Sequence, residues 1–194
     1  MCSFGSRFWI VTSLLGVAVS VFSNEDREYR LSHQRVAFVV SSAWSKGSAA
    51  PSDTTAMFQI PKQGSTRAEL LVRVKPASSF AKSVQSIVSN LQVVAHIPSS
   101  GDGRSKDALI LSRTIGGTAV VVDRLARRGP ISVRARIAWN ASGVTTTESQ
   151  EWFVREANRF FSEITIDGVP IGAIGKLVER SDDRGALPTL DLQE

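Results

Sequence analysis

Five arginines crowd one short stretch of the chain: Arg124, Arg127, Arg128, Arg134 and Arg136, gathered around Arg128-Gly129-Pro130. A guanidinium carries a rigid fork of donors that grips a carboxylate or phosphate through paired hydrogen bonds. The chemistry offered is therefore recognition of an anion: a small ligand, an acidic protein surface or an anionic envelope polymer. Arg113, on the preceding strand, extends the cluster. Asp123 and other acids neutralise part of it, and the same residues also read as the solvated tip of a hairpin.

Catalytic chemistry finds little to work with. His33 and His96 are the whole imidazole inventory. His96 lies in Gln92-Val93-Val94-Ala95-His96-Ile97 and reads as a strand side chain at an edge or in solvent; as a catalytic base it needs a nucleophile and an orienting acid within reach. Cys2 is the single cysteine and precedes an apolar run, so beyond that run there is no disulfide, thiol nucleophile or Cys-ligated metal. No nucleophile elbow, phosphate loop, dinucleotide fingerprint or zinc-protease motif occurs. We expect no catalytic set, no metal and no cofactor. Gly101 to Asp107 lacks both the Lys-Ser/Thr end of a phosphate loop and the spaced acids of a Ca²⁺ loop, and reads as a connector. Asn140-Ala141-Ser142 matches a glycosylation acceptor. Trp44 and Trp139 could line a pocket, though large aromatics more commonly fill a core.

Phe8 to Ser23 is mostly apolar behind Arg7, short of the roughly 20 residues of a membrane span, and ends on a small residue. Residues 1–23 read as an export signal cut before Asn24, with an uncleaved anchor over 8–23 as the alternative. Cleavage takes Arg7 and no acid, which lowers the net charge from +5 by one. The location expected is periplasmic or extracellular. No nucleic-acid partner is expected, since the cations are not interleaved with exposed aromatics.

The elements that position the arginines follow from periodicity. Residues 24–34, charged and poor in large apolar side chains, read as a flexible leader; 35–178 as one globular domain; 179–194 as a loosely held tail. Val36–Val40 is a β-branched strand, Ser45–Thr55 a loop, Met57–Ile60 a strand stopped by Pro61, and Ala68–Val74 alternates as a strand with one wet face. Phe80, Val84, Ile87, Val88 and Leu91 form a helical stripe with Ser79 as N-cap. Strands at 92–97 and 108–112 follow, then the hairpin 118–126 and 131–140, with Ile131, Val133, Ala135, Ile137 and Trp139 on one face. A turn centred on Arg128-Gly129 would set Asp123 opposite Arg134. Thr147-Glu148-Ser149-Gln150 fits a capping box before a helix carrying Trp152, Phe153, Phe160, Phe161 and Ile164. Asp167-Gly168 then signals a turn.

This order is α+β: an antiparallel sheet of about six strands covered by helices. Trp44 after the first strand, Phe58-Gln59-Ile60-Pro61, the helix 79–91 after a proline, Gly116-Gly117 before the hairpin, and the helix 148–164 with Phe160-Phe161 together resemble the Mog1/PsbP-like superfamily over about residues 36–166. The resemblance implies an α/β/α sandwich and a binding or assembly-accessory role, with no shared catalytic residues. The function expected is thus an exported, non-catalytic binding module whose partner is a protein or an anionic envelope component. Two rivals are a small-ligand carrier with a pocket under the 45–55 loop, and a hydrolase using His96.

Overall fold

The computed structural model describes residues 26–47, 52–63, 66–98, 104–115, 119–141, 147–171, 175–179 and 188–191. The expected export signal lies outside them. In chain order the elements are β1 (Arg27–Leu31), β2 (Val36–Val40), β3 (Ser45–Lys46), β4 (Thr55–Gln63), β5 (Thr66–Pro76), a 3₁₀ turn (Ala77–Ser79), α1 (Phe80–Asn90) and β6 (Leu91–Ile97). Then come β7 (Ser105–Thr114), β8 (Ala119–Arg128), β9 (Ile131–Ala141), α2 (Thr147–Ser162), β10 (Thr165–Ile166), β11 (Val169–Pro170), β12 (Lys176–Val178) and β13 (Thr189–Asp191).

Strict alternation along β9 makes it the centre of an antiparallel sheet with the order β3-β4-β5-β9-β8-β7-β6. The class is α+β, as expected. The sheet has seven strands rather than six, because Ser45-Lys46, expected in a loop, pairs with β4 as an edge. Proline does not stop β4: the strand runs through Pro61 to Gln63, with a register irregularity between Ile60 and Gln63 where the missing N–H is accommodated.

The face of the sheet that carries Leu70, Val72, Val122, Ala135, Ile137 and Trp139 is buried under α2, whose Phe153, Ala157 and Phe160 complete the core with Ile164 just beyond its end. Trp139 stacks on Phe153 with ring centroids 5.3 Å apart. A small sheet, β1-β2-β10-β11, closes the same side and brings Phe38 edge-on to Phe58 and Phe160. On the opposite face α1 lays Phe80 and Ile87 on Ala108, Ile110 and Leu125, and so covers one end only. The expected Ser79 cap is not made: Ser79 is itself helical, at φ −81°, and bonds through no side-chain oxygen. The chain enters α1 through the 3₁₀ turn, anchored by the Ala77 N–H on the Pro130 carbonyl at 2.8 Å, and this tertiary tether does the work of a cap.

Two segments are more structured than their composition suggests. Within the expected leader, Arg27–Leu31 pairs with β2, because Tyr29 reaches Phe58, with centroids 4.7 Å apart, and Phe38, while Leu31 is buried in the core. Two apolar side chains on a mostly charged strand hold it at the edge. In the expected tail, Thr189–Asp191 pairs with β12 and Pro188 is buried. Gly175 makes that crossing possible, since a Cβ there would stand 2.7 Å from the Asp191 carbonyl oxygen and 2.6 Å from Ile97 Cδ1. No helix among the described residues is long and apolar enough to cross a membrane.

The turn between β1 and β2 is strained. Ser32, His33 and Gln34 have φ of +54°, +54° and +70°, a left-handed run that L side chains disfavour. Asp53 holds it, accepting the His33 N–H on Oδ1 at 3.2 Å and the Ser32 N–H on its carbonyl at 2.5 Å. Gln34→Gly is expected to stabilise the fold by about 0.5–1 kcal/mol, read as a rise in the urea midpoint at unchanged slope. An unchanged midpoint would show that the left-handed run is not strained.

The second turn, Asp167-Gly168, has φ of +53° and +78°, and joins β10 to β11 as the sequence signals. Arg35 forks onto the Asp167 carboxylate, Nε to Oδ1 at 2.8 Å and Nη2 to Oδ2 at 2.7 Å. That hydrogen bond, opposed by desolvation and helped by the charge of Arg35, holds the Asp167 pKa below its ordinary value. A depressed folded-state pKa means stabilisation that is full above the unfolded carboxylate pKa and lost as pH falls through the folded one. Asp167→Asn should therefore lower stability at neutral pH by a small, salt-sensitive amount and leave it unchanged in acid below both pKa values. Paired denaturation curves across that range check it; an equal deficit at both ends would sink the assignment.

Candidate functional site

The hairpin that carries the arginines is pinned by its turn. Arg128 pairs with Ile131, which leaves Gly129 and Pro130 as the central residues, Gly129 first with φ +55° as a tight primed turn requires. The turn lies one residue beyond the expected centre, because proline supplies the fixed φ of the second position. Asp123 consequently stands opposite Arg136, not Arg134. Alternation then divides the five arginines between the two faces of the sheet. Arg124 and Arg128 point to the α2 side with Val122 and Ala126; Arg127, Arg134 and Arg136 point to the other. The expected single cluster is two separate sites, and Arg113, paired with Val120, belongs to the α2 side.

On the face away from α2, Asp123 is fully buried and holds two cations. Arg136 takes it with a fork, Nε to Oδ1 at 2.9 Å and Nη2 to Oδ2 at 2.8 Å, while Arg134 reaches Oδ1 through Nε alone at 2.8 Å. One carboxylate fixes two guanidiniums in place and leaves a positive surplus. The terminal nitrogens of Arg134 meet no acceptor among the described residues.

The neighbouring strand adds to the surplus. Arg73 lies directly across from Arg134, a like-charge pair that disfavours the sheet, and no acid among the described residues answers it. The next row runs Lys75, Ser132, Arg127, Lys106 across four strands. Arg73, Lys75, Lys106, Arg127, Arg134 and Arg136 thus share this face with only two acids in the described strands, Asp123 and Glu69, and Glu69 is engaged by Gln59 at 3.2 Å. Helix α1 covers β6 to β8, so the β4, β5 and β9 part of the face is open. Arg73 was legible as a wet-face residue of its strand. Its place beside Arg134 was not, because the pairing of β5 with β9 spans a helix and three strands of sequence.

Arg128 is structural: Nη2 bonds Asp107 Oδ2 at 2.8 Å and the Ile171 carbonyl at 2.9 Å. Arg124 is 3% exposed and donates to the same carbonyl at 3.3 Å. Burial pulls its pKa below the usual arginine value, with Asp107 opposing and Arg128 adding to the shift. It lines a cleft of about 480 Å³ between α2, the β7–β8 strands and β12.

The remaining candidates fall elsewhere. His96 is exposed on the edge strand opposite Ile110, and no nucleophile or acid is bonded to it among the described residues. His33 is exposed, its Nε2 3.7 Å from Asp53 Oδ2. Trp44 and Trp139 are both core; Trp44 Nε1 donates to Glu156 Oε2 at 3.3 Å, which accounts for the one acid in the aromatic stripe of α2. A second cavity of about 340 Å³ lies beside the described ends of the 45–55 segment, lined by Tyr29, Lys46, Asp53 and Met57 among others. Ser105 to Asp107 of the expected connector form the start of β7, and residues 101–103 lie outside the described residues. The acceptor Asn140 is exposed near the end of β9, with Ser142 outside them. Among the described residues no group of three His, Cys, Asp or Glu side chains gathers as metal ligands would. No family model matches the chain, and no curated protein matches it either.

Proposed function

We propose that this protein is a non-catalytic binding module that docks an acidic protein surface on the open basic face of its sheet. The observation that carries the reading is Arg73 held opposite Arg134, one of two arginines locked on a buried aspartate, with no acid among the described residues to answer it. Folding gains nothing from such a juxtaposition, whereas a partner's carboxylates meeting immobilised forks lose little side-chain entropy on binding. The layering of α1 and α2 on opposite faces of an antiparallel sheet also supports the Mog1/PsbP-like sandwich and the accessory role it implies. The apolar run at 8–23 supports an exported setting, with the uncleaved anchor as its alternative. The hydrolase reading has little support in an exposed His96 that bonds no nucleophile or acid among the described residues.

The test uses Arg73→Gln with Lys75→Gln, two side chains that bond no acid among the described residues. Binding of the full chain to immobilised polyglutamate should weaken by about tenfold or more in the double variant, and the salt dependence should become shallower. Equal binding by both chains overturns the reading. Retention on anionic lipid vesicles but not on the acidic polypeptide transfers it to an envelope surface.

A further inference from the structure

We infer that the cleft over Arg124 is a binding site for a small monocarboxylate with an apolar body. It lies on the α2 side of the sheet, away from the open basic face, and the two sites can fail independently. Its volume of about 480 Å³ falls in the range of small-molecule sites. Leu109, Phe161 and Leu177 give apolar walls, Arg124, Arg159 and Lys176 are the charged side chains, and no Asp or Glu lines it among the described residues. Arg159 is already engaged by Asp26 and Glu163 at the rim, and Lys176 is exposed at the mouth. The interior charge is therefore that of Arg124.

Arg124 is under-used by the protein. Of the five N–H donors of a guanidinium, one meets an acceptor among the described residues, the Ile171 carbonyl at 3.3 Å, and the buried Nε meets none. That carbonyl does not need it, since Arg128 serves the same oxygen at 2.9 Å. Asp107 lends Arg124 charge but is itself bonded to Arg128 at 2.8 Å. A cation so deeply placed is costly to keep unless something answers it. A single guanidinium matches the charge and planar geometry of one carboxylate, whereas a dianionic phosphate asks for further donors. The walls then receive an alkyl or aromatic body, and Lys176 at the mouth draws the anion in.

The experiment is a titration of the full chain with octanoate, followed by thermal unfolding and by amide NMR, beside octanol, which has the body without the charge, and acetate, which has the charge without the body. Octanoate should raise the Tm with concentration and shift the amides of Arg124, Lys176 and Leu177, while octanol and acetate bind at least about tenfold more weakly. Arg124→Met should lose octanoate affinity by about tenfold or more. If that variant does not fold, Arg124→Lys, which keeps the charge and loses the fork, should still weaken binding. The inference is overturned by millimolar octanoate that shifts no amide of the cleft, by octanol binding as tightly as octanoate, or by a folded Arg124 variant with unchanged affinity.

Discussion

Asp123→Ala is expected to cost about 3–5 kcal/mol, the largest loss from any single polar substitution in this sheet. The carboxylate is fully buried and carries three hydrogen bonds from Arg134 and Arg136, whose side chains are themselves only 19% and 26% exposed. Truncation leaves two cations side by side in a largely dehydrated place, with Arg73 as the next neighbour across β5. The repulsion then adds to the lost bonds. A domain of this size has a stability of about 5–15 kcal/mol, so the change should be plain as a lowered urea midpoint.

The companion variant separates folding from binding. Replacing the whole triad by apolar residues, Asp123→Leu with Arg134→Met and Arg136→Leu, removes every charge at once and is expected to fold within about 1 kcal/mol of the parent. It should nevertheless lose most affinity for an acidic partner. A triple variant as unstable as Asp123→Ala would mean that the ion cluster supports the sheet in its own right, and the argument for a functional surplus of charge would weaken. An Asp123→Ala loss below about 1 kcal/mol would instead mean that water reaches the guanidiniums and that they are not held rigid.

How much of this was legible in the sequence depended on the range of the pairing. The alternation of β9 and the apolar stripe of α2 are local patterns, and both elements lie where periodicity puts them. The hairpin was legible too, but its turn lies one residue beyond the centre its sequence suggests, and in a sheet one residue decides which partner Asp123 faces. Composition hid β1, since Arg27, Glu28 and Arg30 advertise solvent while Tyr29 and Leu31 make the core contacts. It hid β13 for a similar reason: three residues that pair only because Gly175 lets two backbones approach. The candidate site was half visible. All five arginines could be named, yet their division between a basic face and a buried cleft follows from alternation together with the layer that α2 covers, and that layer is a tertiary fact. The row that Arg73 and Lys75 add comes from strand order, which no local pattern records.

The second large effect is expected at Asn158, where one side chain secures the wall of the cleft. Its Nδ2 donates to the Leu177 carbonyl and its Oδ1 accepts the Leu177 N–H, both at 2.8 Å, so that the amide imitates a strand partner for β12. Leu177 is buried against the core, and β12 carries β13 in turn. With Asn158→Ala both backbone groups of Leu177 lose their partner in a place water reaches poorly, at about 1–2 kcal/mol each, or about 2–4 kcal/mol together. Much of that loss should be local, because β12 and β13 pair with each other in a separate two-stranded sheet, β13 lying against β6 and β12 against α2. Amide exchange at Leu177 and Leu190 should therefore rise far more than at Ile137 in the sheet centre, and the affinity for octanoate should fall along with it. Uniform acceleration across the fold would show that β12 is part of the global folding unit. Unchanged exchange at Leu177 would show that the Asn158 clamp is not what keeps the cleft closed.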